Sequence, residues 1–245
     1  MYQLTKLLTL ALTVLLLIPT PGCDAYGGGS KKKRHRRRRH KRSSRSKTNA
    51  FNHGKINNKY ADYTALELLE ALTDKAGPNK GFSILAALIE GAELEGEVDG
   101  GLEDFTLFAP NDQAFCRTAK NDLEYEGSCD PPDAEDVLAH YVAVLDLVAD
   151  GGDIVAPLTA ILSYHAALGE MTVKKLRKYG IFTTLCECFE IAVKKVKKGR
   201  HKKNKITKLI DDGPKYPNID FRQQNVKVIG GIVHVIKGVL IPPLD

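Results

Sequence analysis

The 245-residue sequence predicts an α+β fold, in which N-terminal helices pack on a C-terminal antiparallel β-sandwich or wedge. Up to about residue 165, most apolar residues recur at helical spacing behind capping residues. After about residue 171, segments rich in β-branched residues alternate with clusters of Gly, Lys, Pro and Asn. Helices that come first and strands that come later are typical of α+β proteins.

The first two helices are marked by their ends. Thr64 and Glu67 have the spacing of a capping box, in which hydroxyl and carboxylate accept hydrogen bonds from free N–H groups of the first turn. Leucines follow at helical spacing, and Gly77-Pro78 ends the helix. A second apolar helix is predicted over residues 82–89, closed by Gly91.

A strand-turn-helix unit is predicted after an acidic loop at residues 93–104. Residues 105–108 form a candidate strand that Pro110 stops. Asn111 can cap a short helix over residues 112–115.

Two more helices and five strands are predicted in the rest of the chain. Asp133 can cap a helix, and a short helix is predicted at residues 157–162. The apolar face expected for the Asp133 helix consists of Val137, Tyr141, Val144 and Val148. The candidate strands are residues 181–185, 188–196, 204–210, 225–229 and 232–236.

The formal net charge of +6 is distributed unevenly along the chain. Residues 31–47 hold 12 Lys and Arg and no acid, whereas residues 48–245 hold 23 basic and 29 acidic residues. This excludes a uniformly basic DNA-coating domain. Within the body, residues 62–153 contain 22 acids and 4 bases, and residues 174–208 contain 13 bases and 2 acids. The two sets are either solvated faces, or the basis of head-to-tail self-association or of docking of the basic arm on the acidic half.

The N-terminus has the features of a secretory signal peptide. The apolar run at residues 7–18 is too short to span a bilayer, and helix breakers follow it. Residues 1–25 are therefore predicted to be a signal peptide cleaved after Ala25, with cleavage after Gly22 as an alternative. An uncleaved membrane anchor or a lipid-modified Cys23 are the other interpretations. A secreted, extracellular protein is expected.

Residues 26–59 are predicted to form a disordered Gly-rich and basic arm, because the arm repels itself and has almost no apolar residue. Outside the cell, such an arm would bind anionic polysaccharides or mineral surfaces by counterion release. It could instead be a propeptide removed after Arg42, or a solubilising tail; specific nucleic-acid binding is not expected. The predicted polyanion-binding residues are Lys31, Lys32, Lys33, Arg34, Arg36, Arg37, Arg38, Arg39, Lys41 and Arg42.

Four cysteines remain after the signal peptide. In an oxidising compartment they predict two disulfides with three possible connectivities, which the spacing leaves open. A zinc site is not expected, because no suitable His pair accompanies these cysteines. The disulfide candidates are Cys116, Cys129, Cys186 and Cys188.

Three stretches in order resemble the fasciclin-like adhesion domain. Residues 105–115, FTLFAPNDQAF, are similar to its first motif, and Tyr164-His165 is similar to its Tyr-His motif. Residues 225–243, NVKVIGGIVHVIKGVLIPP, are similar to its closing motif, although Lys237 replaces the usual acid. The resemblance implies a single fasciclin-like domain over residues 60–245.

The resemblance also implies roles for particular residues. An adhesion motif recognised by cell-surface receptors would consist of Tyr164, His165, Ile161, Leu162 and Leu168. The structural motif residues would be Thr106, Phe108, Ala109, Pro110, Asp112, Phe115, Gly231, His234, Val239 and Pro242. For Tyr164 and His165 the alternative is that both rings are buried supports. Asp112 is expected to hold a turn, and His234 to be a structural hydrogen-bonding residue.

No catalytic set is present in the sequence. It has no Gly-x-Ser-x-Gly elbow, phosphate-binding Gly loop or His-Glu-x-x-His motif, so an enzyme and a cofactor are not expected. The leading hypothesis is a secreted adhesion or matrix protein that binds receptors or matrix proteins, with the basic arm as a tether. The alternatives are a soluble carrier of an apolar pigment or haem-like ligand and a self-assembling structural protein.

Overall fold

The computed structural model describes residues 56–76, 81–98, 103–186, 190–198, 204–211, 217–220 and 222–242. All of them lie within the unit Asn49–Asp245. The predicted signal peptide and the polyanion-binding residues of the arm lie outside the described residues. The described part combines helices with two β-sheets, which confirms the α+β class.

The elements are numbered here in chain order. After a 3₁₀ turn at Asn58–Tyr60, the α-helices are α1 Ala65–Ala76, α2 Ser83–Gly91, α3 Asp112–Asp122, α4 Ala134–Val148, α5 Val155–Tyr164 and α6 Val173–Tyr179. The strands are β1 Phe105–Pro110, β2 Ala166–Leu168, β3 Ile181–Thr183, β4 Glu190–Lys198, β5 Asn204–Ile210, β6 Val226–Val228 and β7 Gly231–Ile236. None of the helices in the described ranges has the length and apolarity needed to cross a bilayer.

The helix caps expected from the sequence are confirmed. At α1, Thr64 N–H donates to Glu67 Oε2 at 2.8 Å, and Glu67 N–H donates to Thr64 Oγ1 at 3.2 Å. The Asn111 side chain accepts from Ala114 N–H at 2.9 Å at the start of α3. Asp133 accepts from the second and third N–H groups of α4. Each cap satisfies donors that a helix N-terminus otherwise leaves unpaired.

Two helices differ from the prediction in extent or in buried face. Helix α3 continues to Asp122, because Cys116, Thr118 and Ala119 are buried and extend its core contact. Helix α4 buries Val137 and Leu145, and the exposed fraction of Val148 is 59%. The last turn of α4 at Val148 therefore faces solvent, contrary to the predicted apolar face.

Two elements were missed by the sequence analysis. Strand β2 has only three residues and lacks the β-branched composition that marks the other strands. Helix α6, VKKLRKY, carries two buried residues, Val173 and Leu176, among four cations. It is defined by its ends: Thr172 accepts from Lys175 N–H, and Gly180 ends it in the left-handed conformation.

The two sheets differ in strand direction. The four-stranded sheet has the order β2-β1-β7-β6, and the three-stranded sheet has the order β3-β4-β5. Every pair between these strands is antiparallel, as expected, except β1–β7, which is parallel over six residue pairs from Phe105–Gly231 to Pro110–Ile236. Strand β1 extends two residues beyond the predicted Phe108 because this pairing continues through Pro110.

Backbone hydrogen bonds connect the two sheets at both sides. Leu185 N–H, just after β3, donates to Ala166 O of β2 at 2.8 Å. On the other side, Ile219 N–H donates to Thr207 O of β5, and Asp220 N–H donates to Val235 O of β7. The sheets therefore form a wedge whose walls are joined through their main chains.

Strands β1 and β7 separate two hydrophobic cores. Leu107 and Val235 belong to the core that the helices share with this sheet. Phe108 and Ile236 belong to the core inside the wedge, with Tyr164. Successive side chains of a strand point to opposite faces, so this central pair of strands faces one core on each side. Both strands therefore consist of nearly continuous apolar residues.

One disulfide is present among the described residues. Cys116 of α3 is bonded to Cys129, 13 residues later. Cys186 is half-buried, and Cys188 lies outside the described residues. Closing a loop of this length stabilises the folded state by about 3 kcal/mol in the chain-entropy model.

Gly231 is required by the close approach of β7 to β1. A Cβ at this position would lie 2.5 Å from Phe105 O and 2.7 Å from a Phe105 ring carbon. We expect Gly231→Ala to lower the free energy of unfolding by about 1–3 kcal/mol, because main chain cannot move aside as a flexible side chain can. Urea unfolding followed by circular dichroism measures this.

The matched control for this substitution is Gly91→Ala. Its added Cβ would lie 3.8 Å from Leu158 Cδ2, an ordinary contact, in the last turn of α2. We expect no loss of stability, because Ala is the better helix former. Equal losses for the two variants would contradict the role given to Gly231.

Candidate functional site

The predicted adhesion motif lies at the junction between α5 and β2. Its two rings are inside the protein: the exposed fractions are 1% for Tyr164 and 2% for His165. Leu162 is buried and Ile161 is half-buried, whereas Leu168 is 63% exposed. The motif as a whole therefore cannot be a receptor-binding surface in this fold, because receptors contact only exposed atoms. Of the five residues, Leu168 is the exposed one.

His165 joins three segments of the chain. Its Nδ1 lies 2.8 Å from Ile161 O in the last turn of α5, and its Nε2 accepts from Leu240 N–H at 2.9 Å. Nδ1 must then carry the proton and Nε2 must be unprotonated, so the imidazole is neutral. Burial lowers its pKa to about 4, against an opposing effect of the Ile161 hydrogen bond. The residue ends α5 and fixes the C-terminal segment.

His234 on β7 also bonds main chain through both ring nitrogens, but with the opposite tautomer. Its Nδ1 accepts from Asn225 N–H at 3.1 Å, and its Nε2 donates to Met171 O at 2.8 Å. The ring stacks on Phe108, with centroids 5.6 Å apart. Burial lowers its pKa to about 4, opposed by the Met171 hydrogen bond. Both ring nitrogens are hydrogen-bonded to main-chain groups, so His234 has a structural role.

Thr106 controls the turn between β2 and α6. Its hydroxyl donates to Gly169 O at 2.6 Å and accepts from Met171 N–H at 2.8 Å. The Thr106 side chain is fully buried on β1, so the turn is held against the central strand. A buried hydroxyl that lost these partners would cost about 1–3 kcal/mol.

Asp112 holds the start of α2. Its Oδ1 accepts from Ile84 N–H at 3.0 Å, and its own N–H donates to Gly81 O at 2.9 Å. Burial raises the pKa of the carboxyl, while the hydrogen bonds from Ile84 and Ser83 lower it. The carboxylate thus caps α2 while it stands at the N-terminus of α3.

The other structural motif residues are also placed in the interior. Ala109 and Pro110 are buried in β1, and Pro242 is half-buried near the C-terminal end of the described residues. Phe115 packs edge-on against Tyr141, whose hydroxyl donates to Phe115 O at 3.1 Å. Val239 N–H donates to Thr118 Oγ1 at 3.2 Å.

Asn225 is a structural residue that the sequence analysis did not single out. It is fully buried with φ of +54°, a region that Asn tolerates better than most residues. Its Oδ1 accepts from Val173 N–H at 2.7 Å, and its carbonyl accepts from Asn57 N–H. The signal was available in the sequence: an Asn directly before a β-branched strand indicates a turn.

Two surface clefts among the described residues lie along α1. One of about 300 Å³ is lined by Thr73, Phe82 and Ser83 among others, and a neighbouring one of about 420 Å³ is lined by Asp62, Tyr63 and other residues. Both clefts are open and border the carboxylates Glu70 and Asp74. In the part of the chain that the structure describes, no cluster of three or more His, Cys, Asp or Glu side chains could hold a metal ion.

Comparison with known proteins identifies a family over part of the chain. The family described as Fasciclin domain matches residues 80–151. This segment begins just before α2 and includes α2, β1, α3 and α4. It contains the first of the three motifs and the disulfide.

Two further proteins are similar to the chain. Protein sll1483 of Synechocystis sp. (strain ATCC 27184 / PCC 6803 / Kazusa) is 26% identical over 173 residues, which are 71% of this chain and 74% of that protein. A solved FAS1 domain pair from the insect cell adhesion molecule Fasciclin I is 19% identical, with a TM-score of 0.46 over 73% of this chain. The match covers 51% of that solved chain, so this chain spans about half its length.

The two buried histidines predict a loss of stability in acid. The pKa of each falls from 6.5 to about 4 on folding, so between these values the unfolded state binds more protons. Stability is therefore complete above about pH 6.5 and declines as the pH falls towards 4, by at most about 1.4 kcal/mol per pH unit for each histidine. Urea unfolding between pH 7.5 and 4.5 measures the slope.

Single variants separate the two contributions. His165→Gln and His234→Gln each remove one titrating group, and an amide can still donate and accept, so we expect each to flatten the slope. Asp112 changes the pH dependence of stability in the opposite direction. Its pKa is raised in the folded state, so the folded state binds this proton more tightly than the unfolded chain does. An unchanged slope in both variants would contradict the assignment to the histidines.

Proposed function

The chain carries a fasciclin-like domain, and from this premise we propose that it is a secreted adhesion protein of the extracellular matrix or cell wall. The fasciclin family is associated with cell adhesion, which supports an adhesion-type role. The match to residues 80–151 carries the proposal. In it, the folded domain binds cell-surface or matrix proteins and the basic arm tethers the molecule to polyanions.

The interior of the domain supports a binding module better than a catalyst. The buried polar side chains His165, His234 and Asp112 bind main-chain groups of their own chain. They connect α5, β7 and α2 to distant segments, and such connections restrain these elements relative to one another. A rigid body presents its surface with little loss of conformational entropy on binding.

An extracellular location fits the chemistry of the chain. A disulfide such as Cys116–Cys129 persists in oxidising compartments and is rare in the cytosol. Fasciclin domains are commonly extracellular or secreted. The apolar run at residues 7–18 would supply the export signal.

The arm is the proposed tether. Residues 31–47 of the arm hold 12 Lys and Arg, whereas residues 48–245 hold 23 basic and 29 acidic residues. The net positive charge of the molecule therefore lies in the arm, and the arm is the segment that would attract anionic polymers. Binding of this kind depends on counterion release and weakens steeply with salt. It requires that the arm stays attached after secretion.

Replacing the ten arm residues Lys31–Lys33, Arg34, Arg36–Arg39, Lys41 and Arg42 by Gln tests the tether. We expect the wild-type protein to be retained on the matrix of the secreting cells and to be released by about 1 M NaCl. The Gln variant should appear in the medium without added salt. Immunoblots of matrix and medium fractions measure this.

N-terminal sequencing of the secreted protein is the control for processing. A start near Tyr26 keeps the arm, and a start at Ser43 makes it a propeptide. Equal matrix retention of the wild type and the Gln variant would contradict the tether. Absence of both proteins from matrix and medium would contradict secretion.

Leu168 is the proposed contact of the adhesion motif with a receptor. Its side chain is 63% exposed on β2, so Leu168→Asp should reduce cell attachment to the immobilised protein several-fold and leave the melting temperature unchanged. Leu147→Asp is the matched control, since Leu147 is 60% exposed on α4. Equal attachment to both variants and to the wild type would remove Leu168 from the adhesion surface.

A further inference from the structure

After β7 the described part of the chain continues into a short segment that belongs to neither sheet. We call residues 239–242 the C-terminal strap. Val239 and Leu240 are buried, with exposed fractions of 6% and 0%. Val239 packs in the core that the helices share with the four-stranded sheet, and Leu240 packs in the wedge core. Two adjacent side chains of the strap therefore fill part of both cores.

Side chains from three different segments hold the strap by successive main-chain N–H groups. The donors and acceptors are Val239 N–H with Thr118 Oγ1 at 3.2 Å, Leu240 N–H with His165 Nε2 at 2.9 Å and Ile241 N–H with Asp211 Oδ2 at 2.9 Å. Strands are paired through carbonyl oxygens, which do not titrate, whereas an imidazole and a carboxylate do. The attachment of the strap therefore depends on pH in a way that the pairing of β1 with β7 does not.

His165 can accept from the strap in one protonation state only. Its Nδ1 donates to Ile161 O, so Nε2 is the unprotonated nitrogen of a neutral ring and accepts from Leu240 N–H. Protonation would place a hydrogen on Nε2 as well, and two donors would then face each other. The buried ring would also carry an unpaired charge, which is costly. Movement of the strap away from the ring removes both penalties, because water then reaches Nε2.

The other charged and titratable groups near this contact lie on the elements packed around the strap. They are Tyr164 beside His165, Asp211 after β5, the Lys237–Asp220 ion pair near the end of β7, and His234, whose ring stacks on Phe108 of β1. On α3, Arg117 and Lys120 are exposed, whereas Thr118 is buried. Burial outweighs the other influences on His165, because the pKa of this ring is lowered to about 4 in the closed protein.

We propose that the C-terminal strap is an acid-sensitive closure, held shut by neutral His165 and released when the ring is protonated, while β1 and β7 stay paired. Release uncovers the Nε2 edge of His165 and the places that Val239 and Leu240 occupy in the two cores. Because His165 belongs to the Tyr-His motif, acid then presents to solvent a part of that motif that the closed protein keeps inside. The closure goes beyond the proposed function and does not depend on it.

Hydrogen exchange of the full wild-type chain, resolved by residue with NMR, tests the closure at pH 7.5 and pH 5. With a pKa of about 4 in the closed state and the ordinary 6.5 in the open state, the opening constant rises about 25-fold between these pH values. We expect this loss of protection at the N–H groups of Val239, Leu240 and Ile241, after correction for the intrinsic pH dependence of exchange. The N–H groups of β1 and β7 should remain better protected at both pH values. Equal protection of strap and strands would mean that the strap opens only by global unfolding, and would overturn the proposal.

A pair of histidine variants assigns the effect to one ring. In His165→Gln the titrating group is absent, and the amide can still donate to Ile161 O and accept from Leu240 N–H. We expect the protection of the strap in this variant to change by less than about twofold between pH 7.5 and pH 5. His234→Gln is the matched control, because His234 is also buried with a pKa lowered to about 4 but bonds main chain outside the strap. It should keep the 25-fold response, and equal responses in the two variants would overturn the role of His165.

Nitrogen chemical shifts of the His165 ring in the wild-type chain give a test that needs no variant. We expect a proton on Nδ1 and none on Nε2 at pH 7.5, with a titration midpoint near the pKa of about 4. A proton on Nε2 at pH 7.5, or a midpoint near 6.5 with the strap still protected, would overturn the closure. These measurements use the purified protein, so their outcome is separate from secretion, matrix retention and cell attachment, which test the proposed function.

Discussion

The parallel pairing of β1 with β7 is the constraint on which the rest of the molecule depends. These two strands lie 120 or more residues apart in sequence and are buried on both faces. One face supports the helices and the other fills the wedge, so neither core can form without the pair. Gly231 permits the close approach at one end of the pair, and Pro110 ends it at the other. The sequence between the strands must close a long loop, which costs entropy that both cores together offset.

Buried polar side chains hydrogen-bond distant segments of the chain to one another around this pair of strands. Thr106 and His234, one on each strand, hold the two ends of the Gly169–Met171 turn. His165 hydrogen-bonds the last turn of α5, and Asp112 hydrogen-bonds the first turn of α2. Each group satisfies main-chain atoms that would otherwise be buried without partners, and such atoms are costly. The family-like motifs therefore encode connections between segments of the fold.

Acidic and basic residues are separated along the chain. The helical half carries most of the acids, and the β4–β5 hairpin and α6 carry most of the cations of the folded part. The register of β4 and β5 places lysines opposite lysines because the buried side of the sheet takes priority. In the sequence, positive charge is therefore concentrated in two stretches, residues 31–47 and residues 174–208.

The sequence by itself determined the α+β class, the capped starts of α1, α3 and α4, the strand β5 and the resemblance of the domain. These are local properties: a capping side chain, a β-branched run or a short motif acts within a few residues. Tertiary structure decided the rest. It set the parallel direction of β1 and β7, the exposed Val148, the short elements β2 and α6, and the role of Asn225. It also buried Tyr164 and His165 and left Leu168 exposed, because burial depends on which distant segments cover a residue, and no local pattern records that.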